Sequence, residues 1–152
     1  MLNQGPKPPK PQEFADSAAQ SDGYELAAAQ TALAQSRNPQ VRAFAELMIA
    51  DHAHMEQALR DATRASGLEP PRPHVGGDQS RFLAGLQSLR GDEFDREYGR
   101  HQMLVHASAL TTVRGYAEKG SDANLRSMAA ASAAPMIERH LQAARQLKQA
   151  LS

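Results

Sequence analysis

Apolar residues return every third or fourth position in four long stretches of this chain, the spacing of one face of an α-helix. The first stretch, Gln12 to Ser36, aligns Phe14, Ala18, Ser21, Glu25, Ala28 and Ala32. The second, Pro39 to about Ser66, turns Val41, Ala45, Met48, His52, Met55 and Leu59 inward. Between them "RNP" supplies Asn38 as an N-cap and Pro39 at the first helical position, where a missing N–H costs nothing. Gly67 is placed to close the second helix in the left-handed conformation. A third helix capped by Asp92 carries Phe94, Tyr98, Gln102, Val105, Ala109, Val113 and Tyr116 inward and stops at Gly120. After "GSD" a fourth presents Leu125, Ala129, Ser132, Met136, His140, Ala143 and Leu147. With no stretch reading as a strand, the pattern predicts an all-α four-helix bundle.

The connections refine this picture. Residues 1–11 hold Pro6, Pro8, Pro9 and Pro11 and predict an extended, disordered arm, leaving residues 12–150 as the single folded domain. Gly67 to Gly91 is long for a link between neighbouring helices and suits a crossover running the length of the bundle, with "RFLAGLQSL" as one short helix. Pro135 inside the fourth helix deprives the Ala131 carbonyl of its donor and predicts a kink one turn before His140.

Composition narrows the function classes. Lys+Arg and Asp+Glu balance at 17 each and are scattered, which gives no footprint for nucleic acid. Without cysteine there are no disulfides, thiolate metal sites or cysteine nucleophiles. The longest small and apolar run, "SMAAASAAPMI", is too short to span a bilayer. "MLNQGPKPPKPQEF" lacks the apolar stretch of a secretory signal, so the chain reads either as cytoplasmic or as a mature chain whose targeting peptide has been removed.

Each helix breaks its own apolar stripe: Glu25, His52, Gln102 with His106 at its edge, and His140. A buried polar group without a partner costs roughly 1–3 kcal/mol, so these residues need one another, water or an ion. At about 1.5 Å per residue, Glu25 and His52 both lie about 20 Å below the turn between the first two helices, and His106 falls near mid-bundle. His140 comes out about one turn away, close enough to share the site or to pair with His101 or Tyr98 instead. Imidazole and carboxylate ligands from facing helices suit Zn, Fe, Mn or Cu, which makes Glu25, His52, His106 and His140 a candidate site for one transition metal ion. Asp51 is placed to orient His52 or a partner behind the ligands, with Tyr98 and Gln102 beside the ligands. Tyr24 and Tyr98 read as packing residues, and His54, Glu56 and His74 as solvated. The alternative is a polar core satisfied internally or by buried water.

The stretches "FADSAAQSDGYELAAAQTALAQSRNPQVRAFAELMIADHAHMEQAL", "FDREYGRHQMLVHASAL" and "AAPMIERHLQAA" resemble the bacterial domain of unknown function 4142 (DUF4142). On that resemblance Glu25, Asp51, His52, Asp95, Tyr98, Gln102, His106, Pro135 and His140 are signature positions. It implies a ferritin-like four-helix bundle, and a periplasmic or cell-envelope location, since members are described as exported or outer-membrane proteins. The start of this chain is then expected to follow a removed signal peptide. The resemblance brings no established activity, and Glu-x-x-His pairs of the di-iron ferritins are missing: Ile49 and Ile137 stand three residues before His52 and His140. Only Asp51 and His54 have that spacing. The sequence therefore predicts an extracytoplasmic bundle that binds a single ion for storage, buffering or stress protection, with no catalytic residue assigned. Its alternative is a non-catalytic structural or interaction protein of the envelope, alone, as a homo-oligomer or with a protein partner.

Overall fold

The computed structural model describes residues 7–152, so most of the expected proline-rich arm lies outside the described residues. Lys7 to Lys10 are exposed and non-helical, and Pro11 is already the first residue of a helix. Among the described residues every regular element is helical: α1 (Pro11–Gln35), α2 (Pro39–Ala65), α3 (Gly77–Gln87), α4 (Gly91–Lys119), α5 (Ala123–Met128), a π-helical turn (Ala129–Ala133) and α6 (Ala134–Ala150). None is long and apolar enough to cross a membrane.

Local signals set most boundaries. Asn38 Oδ1 accepts from the N–H groups of Gln40 and Val41 at 2.9 and 3.2 Å, and Pro39 opens α2. Gly67 takes φ +67°, and the N–H groups of Gly67 and Leu68 reach back to the carbonyls of Arg64 and Thr63, closing α2 in a Schellman turn. Asp122 caps α5 by accepting from the Leu125 N–H at 2.8 Å. Two expectations shift. Asp92 sits inside the first turn of α4, which begins at Gly91, and its carboxylate there favours the positive end of the helix dipole. The short linker helix begins at Gly77, four residues before the predicted start at Arg81.

The path of the linker fixes the topology. It leaves the end of α2, where the Glu69 carbonyl accepts from Gln12 at the start of α1. It then passes over Gly23 and reaches the end of α1, where the Gln87 carbonyl accepts from Gln35. There Asp95, in the second turn of α4, accepts from Ser36 at 2.5 Å. α2 and α4 therefore run parallel, and the linker spans the length of α1. At Gly23 the crossing is too close for a side chain: an added Cβ would fall 2.6–2.8 Å from the backbone N, C and O of His74.

Two apolar clusters occupy the two halves of the interior. One gathers Phe14, Leu59, Val113, Tyr116 and Leu125 at the end of the α4–α5 turn, with Phe14 and Tyr116 stacked at 4.0 Å. The other gathers Val41, Phe44, Met48, Phe94 and Leu147 near the α1–α2 turn. Along each helix the buried polar residues fall between these clusters: Asp22 and Glu25, His52, Gln102 and His106, and His140.

The π-turn changes the fourth stripe. Pro135 has no N–H to give, and the Ala134 N–H bonds the Ala129 carbonyl five residues back. The extra residue turns Ala133 inward and leaves Ser132 exposed, and Ala144 rather than Ala143 is the buried alanine beyond His140. In α4 the stripe centres on Gln102, His106 and Leu110, with Val105 and Ala109 half-buried at its flank.

Glycines at two helical positions separate close approach from chain entropy. Gly23→Ala should destabilise by driving the linker off α1, whereas Gly115→Ala, with nothing within 4 Å of the added Cβ, should stabilise by about 0.5–1 kcal/mol. Urea denaturation midpoints of the two variants should move in opposite directions.

Candidate metal centre

Four helices deliver the polar layer. His52 follows Met48 by one turn on the buried face of α2, His106 follows Gln102 on α4, His140 follows Met136 on α6, and Asp22 and Glu25 are one turn apart on α1. All are at least nine-tenths buried. The imidazole centroids lie 6.1 Å apart for His52 and His106, 5.3 Å for His52 and His140, and 5.2 Å for His106 and His140. One nitrogen of each ring lies within 4.8 Å of a nitrogen of each of the other two. Three buried histidines are thus close enough together to hold a metal ion.

The depth count left His140 about one turn from His106, and two features close that gap. The π-turn uses an extra residue without advancing a full helical rise, which takes up roughly 1.5 Å. Side chains also lean toward the N-terminus of their helix. α6 runs opposite to α2 and α4, so His140 leans toward His52 and His106 while they lean toward it.

Hydrogen bonds determine which nitrogen of each ring is free. His52 Nδ1 meets Asp22 Oδ1 at 2.8 Å, His106 Nδ1 meets the Gln102 carbonyl at 2.8 Å, and His140 Nε2 meets Asp51 Oδ2 at 2.7 Å. Every partner is an acceptor, so each outer nitrogen donates. That leaves a lone pair on His52 Nε2, His106 Nε2 and His140 Nδ1 in the neutral rings, and none of these three atoms has a hydrogen-bond partner. Metal-ligating histidines are held by their distal nitrogen in this way.

The other expected residues divide. Glu25 is buried, lines the cavity that also borders His52 and His106, and has an unpartnered Oε2, but it stands outside the three-histidine group. Gln102 contributes its backbone carbonyl to His106, while both side-chain polar atoms lack partners. Tyr98 is fully buried with an unpartnered hydroxyl, and burial together with Glu25 pushes that hydroxyl well above its ordinary pKa. Asp51, expected to orient His52 or a partner behind the ligands, orients His140; the residue that holds His52 is Asp22, which the apolar stripe did not single out. Asp22 precedes Glu25 by three on the same helical face, and that spacing was the signal for it. His101 pairs with neither His140 nor Tyr98: its Nδ1 accepts from the Tyr24 hydroxyl at 2.6 Å and its ring stacks on Phe82. Tyr24 therefore packs and hydrogen-bonds at once.

Burial opposes charge on His52, but the bond to Asp22 and the carboxylates of Glu25, Asp22 and Asp51 outweigh it and raise its pKa. Burial raises Asp22 as well, so this pair retains a proton tightly. His140 goes the other way: burial, with the neighbouring His52 and His106 and against the Asp51 bond, lowers it to about 4. Burial also lowers His101 to about 4.

A family model matches residues 2–147. The chain belongs to the DUF4142 family. DUF4142 is described as a domain of unknown function, so membership supplies no activity. No curated protein and no solved structure matches the chain. Of the DUF4142 positions read from the sequence, His52, His106 and His140 meet at mid-molecule with Asp51 and Gln102 behind two of the rings. Asp95 and Pro135 instead set the framework, Asp95 through its bond to Ser36 and Pro135 through the π-turn.

Metal-free protein should lose stability in acid in a defined window. Folded His101 and His140 stay neutral down to about pH 4, whereas unfolded histidine protonates near 6.5. The unfolded chain then binds more protons between those values, so their contribution is fully present above pH 6.5 and is lost as pH falls toward 4. His52, raised, contributes with the opposite sign, present below 6.5 and lost as pH rises. Urea midpoints should fall from pH 6.5 to 4, and His101→Gln should flatten that slope.

Proposed function

We propose that this DUF4142 protein is an extracytoplasmic bundle of ferritin-like fold that holds one transition metal ion, Zn, Fe, Mn or Cu, for storage, buffering or stress protection. His52, His106 and His140 are its ligands, and Glu25, with its unpartnered Oε2, is a candidate for a fourth. Asp22, the Gln102 carbonyl and Asp51 hold the rings. The observation that carries the reading is the gathering of three buried imidazoles, each with a nitrogen within 4.8 Å of the other two, and each with one nitrogen committed to an acceptor and the other unpartnered. Neutral imidazole nitrogen suits all four metals, and the ion would supply the positive charge that the buried carboxylates of Asp22 and Glu25 otherwise lack. The ferritin-like assignment is supported by the parallel course of α2 and α4 with a crossover between them. The envelope location rests on the family resemblance.

Metal analysis of untagged protein tests this directly. About one ion per chain is expected, lost in His106→Ala and in His140→Ala, with circular dichroism reporting that the helices persist. Asp51→Asn, which exchanges a charged acceptor for an amide, should weaken binding about 10–100-fold. Metal-free wild-type protein whose melting does not respond to added Zn, Fe, Mn or Cu would overturn the proposal and favour a structural or interaction protein of the envelope.

A further inference from the structure

A cavity of about 440 Å³ adjoins the histidines, within the roughly 300–1,000 Å³ usual for small-molecule sites. Its walls are apolar: Leu59, Val113 and Ile137, with the thioethers of Met55, Met128 and Met136 supplying side chains that repack readily around a guest. Its lining also includes Asp22, Glu25, His52 and His106, each at least nine-tenths buried and each with an unpartnered polar atom. His140 is not in the lining, so the cavity approaches the cluster from the side of His52, His106 and Glu25. Exposed Asp78, Ser108 and Thr112 border it at the surface.

We infer that this cavity binds a small apolar molecule whose uncharged lone-pair head, an azole or amine nitrogen, reaches the metal held by the histidines. The inference rests on the metal reading above and adds the class of ligand. The walls select an apolar body, because burying it removes hydrocarbon surface from water on both partners. The buried polar lining selects the head: the carboxylates of Asp22, Glu25 and Asp51 together already outweigh the charge of one divalent ion, so a further carboxylate in this desolvated site would be repelled. An uncharged nitrogen avoids that repulsion and still offers a lone pair.

The full chain loaded with Co(II) provides the assay, because the visible d–d bands of Co(II) report its ligands. Imidazole, 4-phenylimidazole and 4-phenylbutyrate would be titrated separately. 4-Phenylimidazole should shift the bands and half-saturate at about ten-fold lower concentration than imidazole, from burial of its phenyl ring. 4-Phenylbutyrate, equally apolar but anionic, should leave them unmoved over the same range. Ala109→Phe and Ala18→Phe, at two half-buried lining positions on different helices, should each keep the Co(II) spectrum and abolish the preference for 4-phenylimidazole. Equal potency of the two azoles, a response to 4-phenylbutyrate as strong as to 4-phenylimidazole, or a preference that survives in both folded variants would overturn the ligand inference alone. Absence of Co(II) bands in the wild-type protein would overturn the metal reading and this inference with it.

Discussion

Taking imidazoles and carboxylates out of water in the middle of an alanine-rich core is the constraint on which the rest of the molecule turns. Each buried polar atom without a partner costs roughly 1–3 kcal/mol, against a net stability of about 5–15 kcal/mol for a domain of ordinary size. The layer contains several such atoms, on Asp22, Glu25, His52, Tyr98, Gln102, His106 and His140. Such atoms call for buried water, a counter-charge or a guest. A cation accepts from all three imidazoles at once, which hydrogen bonds among the three cannot achieve, because every outer nitrogen is already a donor to something else.

The fold holds that layer in place from both sides. Apolar clusters above and below it bury Phe14, Tyr116 and Leu125 on one side and Phe44, Met48 and Phe94 on the other. The crossover along α1 puts α2 and α4 parallel, and this orientation makes His52 and His106 lean the same way while His140 leans to meet them. Close passage of His74 over Gly23 keeps the crossover against α1, on the helix that supplies Asp22 and Glu25.

Much of this was legible in the chain, for reasons that can be named. Asn38, Pro39 and Gly67 mark boundaries because their chemistry is local. His52 and His106 fall at one depth because regular helices convert residue number into distance. The rest was hidden wherever regularity fails. Pro135 announced a disturbance, but a kink and a π-turn leave the same mark in sequence, and the choice between them decides whether Ser132 or Ala133 faces inward. Asp51 and Asp22 show a different limit. Adjacent residues on α2 point about 100° apart, so Asp51 cannot turn back to the His52 ring; it faces α6, and the carboxylate for His52 must come from α1. Pairing across helices depends on which faces meet, and a single helix's periodicity does not contain that information.

The donor set also bears on how many ions such a site could hold. Bridged pairs of metals in helical bundles draw on carboxylates, with a Glu from each of two helices and a Glu-x-x-His pair from each of the others. Here the carboxylates are committed elsewhere: Asp22 to His52 and Asp51 to His140. Glu25 alone is free of a ring, and Ile49 and Ile137 occupy the positions where the paired glutamates would stand. Three imidazoles and a single spare carboxylate would match one ion better than a bridged pair, and the two aspartates that orient His52 and His140 would balance part of its charge at a distance. Those aspartates thus do one thing and would do a second with the same charge: they hold the outer nitrogen of each ring, and they would lower the electrostatic cost of a cation in a desolvated layer.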